Sequence, residues 1–426
     1  MRIGQQIKDL SQRQTVRQVL ALLSVNMIGI PLGIVTNIIV TNYLGSQLFG
    51  DYKFICSVFN FASLIFSFGI FQAGNRAIVL SNNRNKTRGL YGALLILLCA
   101  LYILMALGLY AYSIYDNNLA DKGITRMFML VIPLSLIPLW SLLFETILVA
   151  DNQIGLLAKM RFYPKFINLI LAGLLLFFVD KITVNKLLVI LLLYHTSQLV
   201  LYIYVTIKLK PTFSDCRSKI NKILYYDKTF GFNVYVGSLF AIGFGYLTEI
   251  LISYFGVDNQ DVGFYSLAIT LTQPLTFIPA TIASTHYKAF AKAPYIQKKL
   301  ILSTIIMSLG AVVLLWILIP PFVHYLYGPE FEPVIGINFF VCIGVFFHGL
   351  SDFFNRYLQA NGYGTKLRNA SIIVGLTTLC SSILLIPNFG AYGAAFAKII
   401  TGLIYFIIIY WYYRAIVKKN QDYAKV

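Results

Sequence analysis

The sequence predicts an all-α polytopic membrane protein. Twelve transmembrane helices are expected, in two six-helix bundles related by a pseudo-two-fold axis along the membrane normal. Three observations predict it. Hydrophobic residues make up 58% of the chain and charged ones 12%, with mean hydropathy +0.75, more apolar surface than a soluble fold of 426 residues can hide. The apolar residues come in runs of about 20, the length at which a helix crosses the ~30 Å hydrocarbon core. And short motifs recur at half the chain length.

The expected spans are 18–41, 53–79, 90–114, 126–149, 163–180, 185–207, 230–255, 263–286, 300–321, 334–359, 369–387 and 391–413. Charge placement orders them. One side collects Arg2, Lys8, Arg13, Arg17, Arg84, Lys86, Arg88, Lys159, Arg161 and Lys165. It also collects Lys208, Lys210, Arg217, Lys219, Lys222, Lys228, Lys288, Lys292, Lys298, Lys299, Lys366, Arg368, Arg414, Lys418, Lys419 and Lys425. These are 26 of the 34 Lys and Arg residues. The other side holds Lys53, Lys122, Arg126, Lys181 and Lys186, among acids such as Asp51, Asp258, Asp261, Glu330 and Glu332. The positive-inside rule then puts both termini in the cytoplasm. An odd number of spans would break the alternation. The net charge of +18 is therefore topological, with anionic headgroups as its neighbours and no nucleic acid implied. The first apolar run has no A-x-A cleavage site and reads as a retained helix. Cys56, Cys99, Cys216, Cys342 and Cys380 form no CxxC pattern, so disulfides and metal ligation are not expected.

The stretch YLGSQLFGDYKF (43–54) follows span 1, and YFGVDNQDVGFYSL (254–267) follows span 7. Gly50 and Gly263 are 213 apart, and LVADNQ (148–153) and LQANGYG (358–364) match at an offset of 210. Two ordered matches at nearly one offset predict a duplication of six spans. Six is even, so the repeats run parallel. The expected domains are an N-terminal bundle over 1–210, a basic cytoplasmic linker over 211–228 and a C-terminal bundle over 229–426. Two such bundles are expected to enclose a cavity that opens alternately to either side.

Function is sought in polar residues within the spans. Arg76, Glu145, Glu249, Asp352, Arg356 and Lys398 lie in apolar runs, where facing lipid would cost each roughly 2.5–3.5 kcal/mol. Span 1 carries Asn26 and Asn37 on one face with small residues. Span 2 continues with Lys53, Ser57 and Asn60 and ends at Arg76. Span 8 mirrors it with Gln273 and Lys288. Arg76 and Lys288 fall one position apart under the repeat offset, and cations there suit a phosphate-bearing ligand. The alternative reading is helix packing through small polar side chains. Span 10 aligns His348, Asp352, Arg356 and Gln359, with Asp352 and Arg356 in the favourable i, i+4 order for an ion pair. Glu145 and Glu249 have no base on their own helix. Each is either a seat for a coupling proton or sodium ion or the partner of a base on another helix, such as Arg76 or Lys398. The cavity candidates are thus Asn26, Asn37, Asn60, Arg76, Gln273, Lys288, Arg356 and Lys398. The coupling candidates are Glu145, Glu249 and Asp352. No Walker, HExxH or GxSxG motif occurs, and no catalytic residue, metal site or cofactor is expected beyond the coupling ion.

Taken in order, YLGSQLFGDYKF, GNRAIV at the end of span 2, YFGVDNQDVGFYSLA, YGPEFEPVIGI and LIPNFGAYGAAFAK resemble Wzx-type polysaccharide flippases of the multidrug/oligosaccharidyl-lipid/polysaccharide exporter superfamily. The resemblance covers nearly the whole chain. It implies translocation of an undecaprenyl-pyrophosphate-linked repeat unit across the bacterial inner membrane, for O-antigen, lipopolysaccharide or related surface polysaccharide. A polymerase and a chain-length regulator are the implied partners. Arg76 matches the base the family often places at the end of span 2. The lipid II branch usually carries fourteen spans, which argues against it here. The rival readings are a cation-coupled multidrug exporter of the same superfamily and, from another class, a membrane-embedded polysaccharide polymerase.

Overall fold

The computed structural model describes residues 14–81, 83–178 and 185–423. These residues are helical or in turns, without a strand. The main helices are α1 (Gln14–Ile65), α2 (Ile70–Val79), α3 (Arg84–Tyr115), α4 (Thr125–Ala150), α5 (Ile154–Phe178), α6 (Lys186–Leu209) and α7 (Cys216–Tyr226). They continue as α8 (Phe232–Ser238), α9 (Phe244–Phe255), α10 (Gln260–Thr285), α11 (Lys298–Leu326), α12 (Pro333–Ala360) and α13 (Gly364–Tyr423). Among the described residues, nine helical stretches are long and apolar enough to cross a membrane. The chain is a multi-pass membrane protein. Lys181 and the last residues of the expected fifth span lie outside the described residues.

Two helices are far longer than a bilayer needs. α1 has 52 residues and α13 has 60, roughly 78 and 90 Å of helix. Each is interrupted at one glycine, Gly45 (φ 74°) in α1 and Gly390 (φ 54°) in α13, a backbone region that residues with a Cβ avoid. Each restart exposes a backbone N–H, and a carboxylate collects it. Glu330 accepts from the Ser46 amide at 3.1 Å, and Asp261 from the Ala391 amide at 3.1 Å. Both carboxylates sit at a helix start, where the axial dipole favours negative charge. Elsewhere ordinary caps suffice, Asn83 on the Asn85 amide and Asn185 on the Leu187 amide, both at 2.9 Å.

The expected second span is not one helix. It breaks between Ile65 and Ile70, with Phe68 and Gly69 both left-handed, and the Tyr235 hydroxyl donates to the freed Ile65 carbonyl at 2.9 Å. The expected seventh span contains a π-helical turn, Leu239–Gly243, between α8 and α9. The linker predicted over 211–228 is largely α7, which packs on α2 and α3, with the Thr212 amide bonded to the Arg88 carbonyl at 3.0 Å.

The helices form two compact units. One comprises the chain up to Tyr43 together with Phe59–Val236. The other comprises Leu44–Val58 together with Gly237 onward. The first has its core around Phe59, Tyr91, Phe128, Leu143 and Phe144, all almost wholly buried. The second has an aromatic core in which Phe290, Phe353, Phe354, Tyr357, Tyr405 and Tyr413 cluster. The fifteen residues Leu44–Val58, expected as the outer loop after span 1 and the first residues of span 2 in the N-terminal half, belong to the second unit. Gly50 explains the fit. A Cβ there would stand 1.8 Å from the Asn259 carbonyl oxygen, and Gly263 backs directly onto Gly50. The two glycines that matched at half-length touch each other. Gly45 makes the break in α1, and Gly50 makes the close approach.

The second repeat match folds alike at both copies. Asn152 (φ 53°) and Gly362 (φ 79°) end α4 and α12 in the left-handed region. Gln153 bonds back to the Leu148 carbonyl at 2.8 Å, and Tyr363 to the Leu358 carbonyl at 3.0 Å, the same helix-ending pair of turns.

Gly50→Ala should lower the thermal midpoint of the detergent-purified protein, at a cost of about 1–3 kcal/mol. Gly33→Ala, where nothing lies within 4 Å, should leave it unchanged. Equal midpoints for the two variants would show that the Gly50 contact is dispensable.

Candidate functional site

In the first unit, α2 carries Arg76 on an exposed face, its guanidinium 5.7 Å from the Phe230 ring. Beside it Asn75 donates to the Thr146 carbonyl at 2.9 Å, which ties α2 to α4. Asn37 is buried on α1, and its amide nitrogen has no hydrogen-bond partner among the described residues. Asn60 is half-buried. The side chain of Asn26 lies outside the described residues.

Glu145 on α4 is not isolated. Arg161 on α5 grips it with two nitrogens, Nε reaching Oε1 at 2.9 Å and Oε2 at 3.2 Å, while Nη2 also contacts Oε2. A fork-to-fork pair of this kind fixes both side chains. The sequence offered Arg76 or Lys398 as the base, and Arg161 was counted only as a marker of orientation. The helix-to-helix register that selects Arg161 is not written in either segment alone.

In the second unit two polar clusters form. Glu249 on α9 accepts a hydrogen bond from Ser57, with Ser266 beside it. Lys53 faces the same carboxylate electrostatically, with its ammonium 5.1 Å from the Phe49 ring and 5.6 Å from the Tyr52 ring. Lys53 and Ser57 are four apart on α1, hence on one face. The sequence placed Lys53 and Ser57 together on the polar face of span 2, but it did not pair Lys53 with Glu249. Near them Asp51 accepts from Asn259 at 2.7 Å, and Asn259 accepts from Ser253 at 2.6 Å.

The second cluster joins α12 to α13. Asp352 accepts from the Tyr405 hydroxyl at 3.0 Å, and Asn355 donates to the same hydroxyl oxygen at 2.6 Å. Lys398 and Arg356 both act on Asp352 electrostatically. The ion pair expected between Asp352 and Arg356 does not form. Arg356 turns to Gln359 at 3.0 Å, and among the described residues no carboxylate lies within 4 Å of it or of Lys398. The i, i+4 rule brings two side chains within reach, and Tyr405, arriving from another helix, decides where the carboxylate goes. Tyr405 and Asn355 had no sequence signal among so many aromatics and amides. Gln273 is exposed on α10. The side chain of Lys288 lies outside the described residues.

Three features now stand together: helices sized for a membrane, two glycine-broken helices, and cations within the spans. Residues 15–293 match the family described as "Polysaccharide biosynthesis protein". The chain belongs to this family. No curated protein matches it. Among solved structures it is similar to "Lipid II flippase MurJ, inward closed conformation", at a TM-score of 0.74 and 13% identity over 94% of this chain and 90% of that one. It is also similar to an inward-facing multidrug resistance MATE family transporter of the MOP superfamily, at a TM-score of 0.68 and 13% identity over 95% of this chain and 99% of the other. The outward-facing form of a MATE family transporter matches at 0.59, with 14% identity over 95% and 96%. At such identities the shared property is the fold.

A double-mutant cycle tests the Glu145–Arg161 clamp. Arg161→Met should destabilise the protein, and Glu145→Gln added to it should cost less than it does alone. The expected coupling energy is about 1 kcal/mol, read from denaturation midpoints in detergent. Strict additivity would mean that the pair is not formed.

Proposed function

We propose that the chain is a carrier, not an enzyme, that moves an undecaprenyl-pyrophosphate-linked oligosaccharide across the bacterial cytoplasmic membrane by alternating access, supplying surface polysaccharide such as O-antigen. In this reading the chain crosses the membrane twelve times with both termini in the cytoplasm. Dividing α1 at Gly45 and α13 at Gly390 raises the nine apolar stretches to eleven, and α5 (Ile154–Phe178), which is not among the nine, would be the twelfth. A polymerase and a chain-length regulator would act on the exported repeat.

The observation that carries the reading is the unneutralised positive charge within the spans. Among the described residues, Arg76, Arg356 and Lys398 have no carboxylate within 4 Å. Of the acids, Glu145 is clamped by Arg161, while Glu249 accepts from Ser57 and Asp352 from Tyr405, so bases outnumber acids within the spans. A carrier of cationic drugs needs free acids. A carrier of pyrophosphate needs free bases, because Arg and Lys bind phosphate oxygens through charge-assisted hydrogen bonds. The family description, polysaccharide biosynthesis, agrees with that side of the choice. A coupling proton or sodium ion is assigned to Glu249, where it would compete with Lys53 for the carboxylate.

Deletion of the gene should leave single lipid-linked repeats on the cytoplasmic face, and unaltered surface polysaccharide would defeat the reading. Sugar-chain extension by the purified protein would make it a polymerase instead. Arg76→Ala should reduce export by roughly tenfold at unchanged protein level, and Arg76→Lys should reduce it less. Equal export by wild type and both variants would remove Arg76 from the mechanism.

A further inference from the structure

The α12–α13 cluster has more cations than its single carboxylate can balance. Lys398 is held at depth. A Cβ on Gly344 would lie 2.7 Å from the Lys398 carbonyl carbon, so α12 and α13 are in backbone contact there. Roughly 24 Å of helix separates Gly344 from the end of α12 at Ala360. At that level Lys398 makes no hydrogen bond among the described residues. Asp352 and Arg356 are exposed although they belong to a membrane-length helix. Lipid is a costly neighbour for a charge, so the exposed side of this cluster borders water. His348, one turn before Asp352, stands over the Tyr405 ring at 5.5 Å, and its Nε2 is buried without a partner. Asp352 is thus the one anion among Lys398, Arg356 and His348, steered by Tyr405 and pinned by neither cation.

We propose that Asp352 is a resident stand-in for a phosphate: its carboxylate and the substrate's pyrophosphate compete for Lys398 and Arg356. This rests on the pyrophosphate reading above and sharpens it, since it places the anion subsite in the second unit and gives Asp352 a role other than cation coupling. The empty carrier keeps its cations partly neutralised and does not hold stray anions. A bound pyrophosphate displaces the carboxylate, and the returning carboxylate helps it leave. The chemistry is that of a phosphate ester, whether it arrives on a polyprenyl carrier or in a phospholipid headgroup.

The sign of one substitution tests this. The full chain in phosphatidylcholine nanodiscs is titrated with inorganic pyrophosphate by calorimetry. Asp352→Asn should bind about tenfold more tightly than wild type, because a competing charge is gone. Lys398→Met and Arg356→Gln should each bind roughly tenfold more weakly. Asp352→Ala is the second reporter should the amide disturb Tyr405, and it too should tighten binding. Unchanged or weaker binding by both Asp352 variants overturns the proposal, as does unchanged binding by Lys398→Met. Phosphatidylglycerol added to the nanodisc should leave the pyrophosphate affinity unaltered. Competition by it would make this a headgroup site and overturn the substrate assignment. If the predicted pattern holds while lipid-linked oligosaccharide is not translocated, the anion subsite stands and the transport reading falls.

Discussion

A helix that stops and restarts leaves backbone amides and carbonyls to satisfy, a buried charge needs a partner, and the structure follows from those two constraints. α1 and α13 each run for more than fifty residues and break once, at a glycine with positive φ. Each break is tolerable because a carboxylate from another helix takes the first free amide after it, Glu330 for Ser46 and Asp261 for Ala391. The break at Ile65 is served by the Tyr235 hydroxyl in the same way. Acids that sequence reading counts as markers of one membrane face are therefore caps that let the helices change direction.

The second constraint sorts the intramembrane charges. Glu145 and Arg161 satisfy each other and bind α4 to α5. Glu249 accepts from Ser57. Asp352 receives a tyrosine, and Arg356 turns to Gln359. Charges that answer one another serve the fold. Among the described residues the remainder is positive, and the proposed anionic substrate rests on that remainder.

Much of this was legible in advance, for a reason that varies by feature. The spans were legible because hydropathy over twenty residues is a local sum. The repeat was legible at Asn152 and Gly362, because a helix-ending turn imposes its residue types locally and the two copies close with the same hydrogen bonds. The partners of the buried charges were not legible. Arg161 looked like an orientation signal, Lys53 stood on the polar face of span 2 without an assigned partner, and the spacing of Asp352 and Arg356 suited an ion pair that Tyr405 redirects. Which base meets which acid depends on how two helices are rotated against each other, and no single segment encodes that.

The sequence by itself determined that the chain crosses a membrane as helices and that a handful of charges demand an explanation. These follow from composition and period, which survive without knowledge of packing. Only the tertiary structure decided that Leu44–Val58 belongs with the second unit, that Gly50 lies against Gly263, and that Asp352 meets Tyr405 while Arg356 meets Gln359. Each of these depends on distances of a few ångströms between residues up to some two hundred positions apart. Close packing sets such distances, and it is a property of surfaces meeting in space.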